Sequence, residues 1–87
     1  MQRAIKITFP VKKKNQDDTY KLMANYFESD AGSCFILGET NRALQRQRHN
    51  VTEGCIIEDL VTDKAYKCIG ISFTEKPKRP IIQVVPI

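Results

Sequence analysis

Four side chains of this sequence are of the types that bind transition metals or act as nucleophiles: Cys34, His49, Cys55 and Cys68. Together they offer the mixture of sulfur and nitrogen that zinc accepts in tetrahedral sites. No two of them have the spacing of roughly two to four residues that brings ligands together in structural zinc sites. The sequence therefore predicts no metal site and favours free cysteines that pack as small hydrophobic groups.

Catalytic groups are not indicated either. His49 is the single histidine, and no neighbouring acid or amide is placed to orient it against a cysteine. We expect it to be solvated at the end of a short helix, where the helix dipole stabilises it. Glu58 and Asp59 are adjacent, so on a strand they point to opposite faces and cannot share one site. The glycines form no phosphate-binding pattern. The sequence thus predicts no enzyme, no cofactor and no small-molecule substrate.

Positive charge is the more informative feature, since 14 basic residues against 10 acidic ones give a net charge of +4. The basic residues form three groups, in the first loop, on a short helix and in the last loop. Loops of this kind bind phosphates, and exposed tyrosines beside them can stack on the bases of a single strand. The candidate contacts to DNA or RNA are Lys12, Lys13, Lys14, Arg42, Arg46, Arg48, Lys76, Lys78, Arg79, Tyr20 and Tyr66. The alternative is that these charges only keep a small barrel in solution.

The elements that must position these groups are mostly strands. Apolar residues alternate with polar ones over Ala4–Val11, which predicts a half-buried strand. Thr19–Glu28 fits two structures: a strand with its tyrosines on one face, or a helix capped by Asp17 or Asp18 and ended by Gly32. The strand is favoured because it would form a hairpin with the first segment.

The middle of the chain predicts a buried strand at Ser33–Leu37, followed by a polar helix that Thr40 or Asn41 caps and that extends to about His49. This helix has too few apolar residues to be a central core element. We therefore expect it on the surface or across one mouth of a barrel, with two of its arginines and the histidine in one stripe.

The stretch 54–73, GCIIEDLVTDKAYKCIGISF, has two apolar arms around a polar turn. A turn centred on Asp63 and Lys64 would set Cys55 against Ser72. In that register the two cysteines of the stretch are not cross-strand partners, and no disulfide forms between them.

Apolar strands also make up the end of the chain. Tyr66–Phe73 would place Ile69 and Ile71 on one face and Cys68 on the other, and Gly70 predicts a bulge or a tight bend. The final IIQVVPI has no charge, so it must be paired or packed to avoid aggregation. The candidate contacts between copies of the chain are Ile82, Val84 and Ile87.

In sum, the pattern predicts five strands with one short polar helix between the third and the fourth, typical of a mainly β, OB-like or SH3-like small barrel. A chain of 87 residues suits one domain over residues 1–87. So small a domain has a narrow margin of stability and gains from self-association. Three cysteines without a pairing pattern predict free thiols in a reducing, intracellular compartment, and no segment predicts a membrane span.

The order of these segments also resembles tailed-phage head–tail joining proteins, the head-closure or adaptor family. GETNRALQRQRHN, GCIIEDLVTDKAYKCIGISF and IIQVVPI follow the family's order of polar helix, hairpin and last strand. Tyr66, Ile69, Gly70 and Ile71 stand where its hairpin pattern places such residues, and the opening IKITF, polar loop and TYKL is similar to its first hairpin. The resemblance implies a barrel that assembles in rings beneath the portal, contacts its neighbours through strand edges and loops, faces DNA, and is incorporated into a virion.

Two functions therefore compete. The first is a non-enzymatic assembly module that forms homo-oligomers or joins other subunits of a phage particle. The second is a single-stranded nucleic-acid-binding, OB-like barrel. Binding by the second should weaken steeply with salt, whereas the first should have a defined oligomeric mass and little affinity for free DNA.

Overall fold

The computed structural model describes residues 2–10 and 18–87 of the chain. Six antiparallel strands form a closed barrel in the order β1-β2-β3-β6-β5-β4, and one short helix lies between β3 and β4. The elements are β1 (Gln2–Thr8), β2 (Thr19–Ser29), β3 (Gly32–Leu37), α1 (Asn41–Arg46), β4 (Ile56–Asp59), β5 (Lys64–Phe73) and β6 (Pro80–Pro86). A mainly β small barrel with one short helix is therefore confirmed, but it has six strands rather than five.

The additional strand is β4. It is the first arm of the hairpin predicted for 54–73 and has just four residues. It nevertheless pairs with β1 on one side and with β5 on the other. This pairing closes the sheet, so that each of the described strands has two hydrogen-bonded neighbours and none has a free edge.

The strand alternative for the second segment is confirmed. In the β1–β2 hairpin, Ile5 lies opposite Leu22 and Ile7 lies opposite Tyr20. This register places Ile5 and Ile7 of β1 and Leu22 and Ala24 of β2 on the interior face. Pairing with β1 and β3 therefore outweighs the local helix signals of the segment, because burial along two strands contributes more free energy than a helix cap.

The barrel interior is filled by alternate residues of the strands and by one residue of α1. Phe35, Tyr26 and Tyr66 pack with their ring centroids 5.0 to 5.8 Å apart. Burial of each large apolar side chain contributes about 1.5–3 kcal/mol. The core residues are Ile5, Ile7, Leu22, Ala24, Phe35, Leu37, Leu44, Cys55, Ile57, Tyr66, Cys68, Ile82 and Val84.

The helix lies at the barrel end where β3 stops and β4 starts, one of the two positions expected for it. Thr40 is its N-cap, as predicted, and the Thr40 Oγ1 accepts a hydrogen bond of 3.1 Å from the Ala43 N–H. Leu44 is the one buried residue of α1 and covers this mouth of the core. In the described part of the chain, no helix is long and apolar enough to cross a membrane.

The β4–β5 hairpin has a different register from the predicted one. Asp59 pairs with Lys64, and the Cys68 N–H donates a 2.8 Å hydrogen bond to the Cys55 carbonyl. Cys55 therefore lies opposite Cys68, not opposite Ser72. Both thiols face the core and are free, as is Cys34 on the outside. The turn starts earlier than expected because the carboxylate of Asp59 binds two backbone N–H groups within it.

Two bulges flank this cysteine pair. Gly54, with a φ of 95°, donates its N–H to the Cys68 carbonyl, and the left-handed conformation of this G1 bulge favours glycine. The second bulge lies between Cys68 and Gly70, as the glycine predicted. Its extra residue, Ile69, shifts the alternation of β5, so Ile69 points outward while Ile71 faces the core. The prediction that these two isoleucines share a face is wrong.

Candidate interaction surfaces

The outer surface of the barrel has three regions of different chemistry. The apolar face is formed by Met23 and Phe27 of β2, by the outward-facing residues of β3 and β6, and by the bulge of β5. The charged face covers β1 and β4. The basic end carries α1 and the β5–β6 loop, residues 74–79. The apolar face comprises Met23, Phe27, Cys34, Ile36, Ile69, Ile81 and Val85.

The residues of the apolar face lie side by side across the strands, with the polar but uncharged Asn25 and Gln83 among them. Phe27 pairs with Cys34, and Cys34 pairs with Gln83 on the next strand. In the row beside it, Ile36 pairs with Ile81. Phe27 is 51% exposed and Ile69, in the bulge, is 52% exposed. Apolar side chains of this size, gathered on one face of a small protein, are typical of a surface that contacts a partner.

The predicted contacts on β6 have to be corrected. Ile82 and Val84 are 0% and 3% exposed and face the barrel interior, because the alternation of the strand begins with the buried Pro80. They stabilise the core and are not available to a partner. The outward-facing residues of the same strand are Ile81, Gln83 and Val85. Ile87, beyond the end of β6, is exposed as expected.

The charged face is the opposite side of the barrel. Lys6 on β1 forms an ion pair of 3.4 Å with Glu58 on β4. Lys21 and Lys67 flank this pair on the neighbouring strands, as cross-strand partners of Lys6 and Ile56. Ile56 is the half-buried apolar residue of this face, so its surroundings contrast with those of Ile36 and Ile81.

The basic end brings together two of the three predicted groups of cations. The Asn41 N–H donates a 2.8 Å hydrogen bond to the Lys78 carbonyl, which fixes α1 against the β5–β6 loop. Thr40, Arg42, Gln45 and Pro77 line the cleft between them together with these two residues, and its volume is about 520 Å³. The cations of this end are Arg42, Arg46, Arg48, Lys76, Lys78 and Arg79, and neither ion pair among the described residues includes one of them.

The third predicted group, Lys12, Lys13 and Lys14, lies outside the described residues. The residues on either side of that segment belong to the same end of the barrel, since the Phe9 N–H donates to the Asp18 carbonyl at 2.8 Å.

The end of the helix explains why His49 is not in the predicted basic stripe. The helix stops at Arg46, because the Arg48 N–H donates to the Gln45 carbonyl and the His49 N–H donates to the Leu44 carbonyl, both at 2.9 Å. These two bonds form a Schellman motif, and Arg48 adopts the left-handed conformation at its C′ position with a φ of 61°. The chain then turns His49 back towards the barrel.

His49 packs between two aromatic rings instead of lying in solvent. Its ring is stacked on Phe9 with a centroid distance of 5.1 Å and lies 4.4 Å from Tyr20. The Tyr20 hydroxyl is within hydrogen-bond distance of both carboxylate oxygens of Glu39, at 2.9 and 2.8 Å. Burial and these bonds raise the pKa of Tyr20. Tyr20 therefore holds the segment before α1 through Glu39 and the loop after α1 through His49. Its ring packs against His49 rather than being free to stack on a base.

Tyr66, the second predicted stacking residue, lies elsewhere. It is 5% exposed and packs in the core beside Tyr26 and Phe35, near the barrel end opposite α1. Burial and the Tyr26 hydroxyl raise the pKa of Tyr66. The prediction that it contacts nucleic acid is wrong, because strand alternation turns it inward.

A buried ion pair near that end is the feature that sequence reasoning missed. The Arg3 guanidinium donates a 2.7 Å hydrogen bond to the carboxylate of Asp59, which is buried. Burial raises the pKa of Asp59, but the hydrogen bonds from Arg3, Thr62 and Val61 outweigh it and hold the pKa below its ordinary value. Glu58 and Asp59 do point to opposite faces, as predicted. The arrangement anchors the β4–β5 turn.

The four candidate zinc ligands are not brought together. Cys34 lies on the apolar face, His49 lies between Phe9 and Tyr20, and Cys55 and Cys68 face the core. Within residues 2–10 and 18–87, no three histidine, cysteine or acidic side chains are grouped so as to hold a metal. Burial raises the pKa of all three thiols, so each is a poorer nucleophile than an ordinary cysteine.

Comparisons of the chain with protein-family models, with curated proteins and with solved structures find no match.

Proposed function

We propose that this protein is a non-enzymatic assembly module, a small barrel that joins other protein subunits through its apolar face. The observation that carries this proposal is the apolar face itself. Its outward positions on β3 and β6 are uncharged, whereas Lys6 and Glu58 occupy outward positions on β1 and β4. Separation of apolar and charged residues onto different faces gives a monomeric barrel no benefit. In a complex, burial of the apolar face removes apolar surface from water and contributes binding free energy.

The finer proposal is a head–tail joining protein of a tailed phage, assembled in the reducing interior of the cell and then part of a virion. Its support is the order of polar helix, hairpin and last strand, together with Tyr66, Ile69, Gly70 and Ile71 at the positions of the family's hairpin pattern. Because the described strands have no free edge, neighbouring subunits would contact side chains of the barrel wall and its loops rather than extend the sheet.

The basic end favours a second candidate function, binding of a single nucleic-acid strand by an OB-like barrel. The position of α1 between β3 and β4 and the pairing of β1 with β4 support the OB-like description. The cleft between Arg42 and Lys78 has cations on both walls. Without Tyr20 and Tyr66 for stacking, such binding would depend mainly on phosphate contacts and would weaken steeply with salt.

Native mass spectrometry of the purified full chain distinguishes the two functions, combined with a fluorescence titration of a labelled oligonucleotide at low and moderate salt. An assembly module gives a defined oligomer and oligonucleotide affinity no greater than that of other weakly basic proteins. A monomer that binds the oligonucleotide with a steep salt dependence would replace the assembly proposal by the nucleic-acid one.

A further inference from the structure

We propose that the partner of the apolar face is a second copy of this chain, which packs on it in a two-fold arrangement centred on β3 and β6. This inference rests on the proposed function and names the partner and the residues of that same surface. In an isologous interface the same patch serves both copies, so one uncharged, apolar patch is sufficient.

The charge distribution favours a second copy over other occupants. Two copies of a chain with a net charge of +4 repel each other overall. Contact through the basic end or through the lysines of the charged face would bring like charges together. The centre of the apolar face, on β3 and β6, has no charged outward residue, so two copies can meet there without opposing cations. A strongly acidic partner would be attracted to the basic end instead.

The size of the face predicts how tightly two copies bind. Its exposed apolar surface is on the order of 400 Å² per copy, within the range of patches that mark interaction sites. Pairing of two such faces buries roughly 800 Å² in total, below the ~1,600 Å² of a standard interface. We therefore expect a weak, reversible dimer that forms only at micromolar or higher concentrations.

The chain contains its own reporter for this interface. Cys34 lies on the apolar face between Phe27 and Gln83. The other two cysteines, Cys55 and Cys68, are buried in the core, so that in the folded protein only Cys34 is open to a thiol reagent. Formation of the dimer should cover it.

Sedimentation velocity of the full chain from about 1 to 500 μM tests the inference with the matched variants Ile81→Lys and Ile56→Lys. Both replace a half-buried, outward-facing isoleucine by lysine, one on the apolar face and one on the charged face. We expect the wild type and Ile56→Lys to pass from monomer to dimer over this range. Ile81→Lys should remain monomeric because each dimer would bury two unpaired ammonium groups.

Labelling with N-ethylmaleimide supplies the second measurement and a check of folding. The fraction of Cys34 labelled at a fixed time should fall with protein concentration in the wild type but not in Ile81→Lys. An unfolded variant would label all three thiols instead of one; if Ile81→Lys does so, Val85→Lys at the same face replaces it. An oligomer whose mass Ile81→Lys and Ile56→Lys leave equally unchanged overturns the two-fold interface but leaves the assembly function. A monomer at every concentration overturns the interface, and the oligonucleotide titration then decides the function.

Discussion

Removal of the Asp59 carboxylate should strongly destabilise the barrel. The buried Asp59 accepts hydrogen bonds from Arg3 at 2.7 Å and from the Val61 and Thr62 N–H groups at 2.9 and 3.2 Å. It therefore fixes β1 to β4 and starts the β4–β5 turn. Asp59→Ala loses all three bonds, and Asp59→Asn loses the charge but keeps an acceptor for the turn.

The expected magnitudes follow from this geometry. Each hydrogen bond to a charged group contributes about 1.5–3 kcal/mol when well buried. The side chain of Arg3 is 30% exposed, and water can solvate the freed turn amides, which lowers the total. We expect a loss of about 3 kcal/mol for Asp59→Ala and about 1.5 kcal/mol for Asp59→Asn. At about 4–8 °C per kcal/mol for a domain of this size, the Tm should fall by about 15 °C and 8 °C.

The pH dependence separates the charge from the shape of the side chain. The pKa of Asp59 is lower in the folded state than in the unfolded state. Its stabilising contribution is therefore complete above the ordinary carboxyl pKa of about 4, and it is lost as the pH falls through the folded value. Urea unfolding of the wild type and of Asp59→Asn at pH 7 and at pH 3 should give two curves that approach each other at the lower pH.

A difference between wild type and Asp59→Asn that is equally large at pH 7 and pH 3 would refute this reasoning, because the ionised form would then contribute nothing. Glu58→Gln is the matched control. Glu58 is adjacent in sequence but lies on the outside and pairs with Lys6, so its loss should cost less than about 0.5 kcal/mol.

Three further predictions concern the rest of the chain. Arg48→Gly should stabilise the protein by about 0.5–1 kcal/mol in urea unfolding, because glycine adopts the left-handed C′ conformation without steric cost; a destabilisation would contradict the Schellman cap. Gly38→Ala should lower the Tm by about 5–15 °C, since a Cβ there would lie 2.9 Å from the Met23 carbonyl oxygen. An unchanged Tm would show that the backbone at Gly38 can move away from β2 at little cost in free energy. Arg42→Ala with Arg46→Ala should leave the Tm within about 3 °C, because both side chains are exposed, and should lower any oligonucleotide affinity and its salt slope; a large fall in the Tm would mean that α1 needs these arginines to fold.

The sequence was informative wherever alternation extended over a whole strand. The alternation of apolar and polar residues correctly predicts that Ile5, Ile7 and Leu22 face the core. The residue type of Thr40 likewise predicts the helix cap. The bulge at Gly70 was visible as a glycine within a strand. These features depend on residues near one another in the chain, and for such features periodicity and residue type are sufficient.

Features set by the closing of the barrel were not predictable. The ion pair of Arg3 and Asp59 joins residues 56 positions apart, and the single-sequence pattern contains no signal for it. It also sets where the β4–β5 turn begins, which is why the predicted pairing of Cys55 was wrong. Ile82 and Val84 were assigned to the outside because an apolar run without polar alternation does not show which of its faces is interior.

The surfaces were predictable in composition but not in position. Arg42 and Lys78 are far apart in sequence and meet because α1 and the β5–β6 loop share one end of the barrel. Tyr20 carried the residue type of a stacking platform, but the loop after α1 brings His49 onto its ring.

The two pairings that close the barrel, β1 with β4 and β3 with β6, have a consequence for how the chain folds. Strands β1–β3 and β4–β6 are two meanders, joined by the β1–β4 and β3–β6 pairings and by the segment through α1. Either three-stranded half alone has two edge strands with unpaired backbone N–H and C=O groups, and its apolar face is exposed to water. Neither half buries its apolar face alone, so we expect folding to be cooperative across the whole chain and to depend on pairings between distant residues. Until both pairings have formed, the unpaired strand edges of one chain can hydrogen-bond to those of other partly folded chains and cause aggregation. Rapid dilution or a chaperone should therefore raise the yield of refolding.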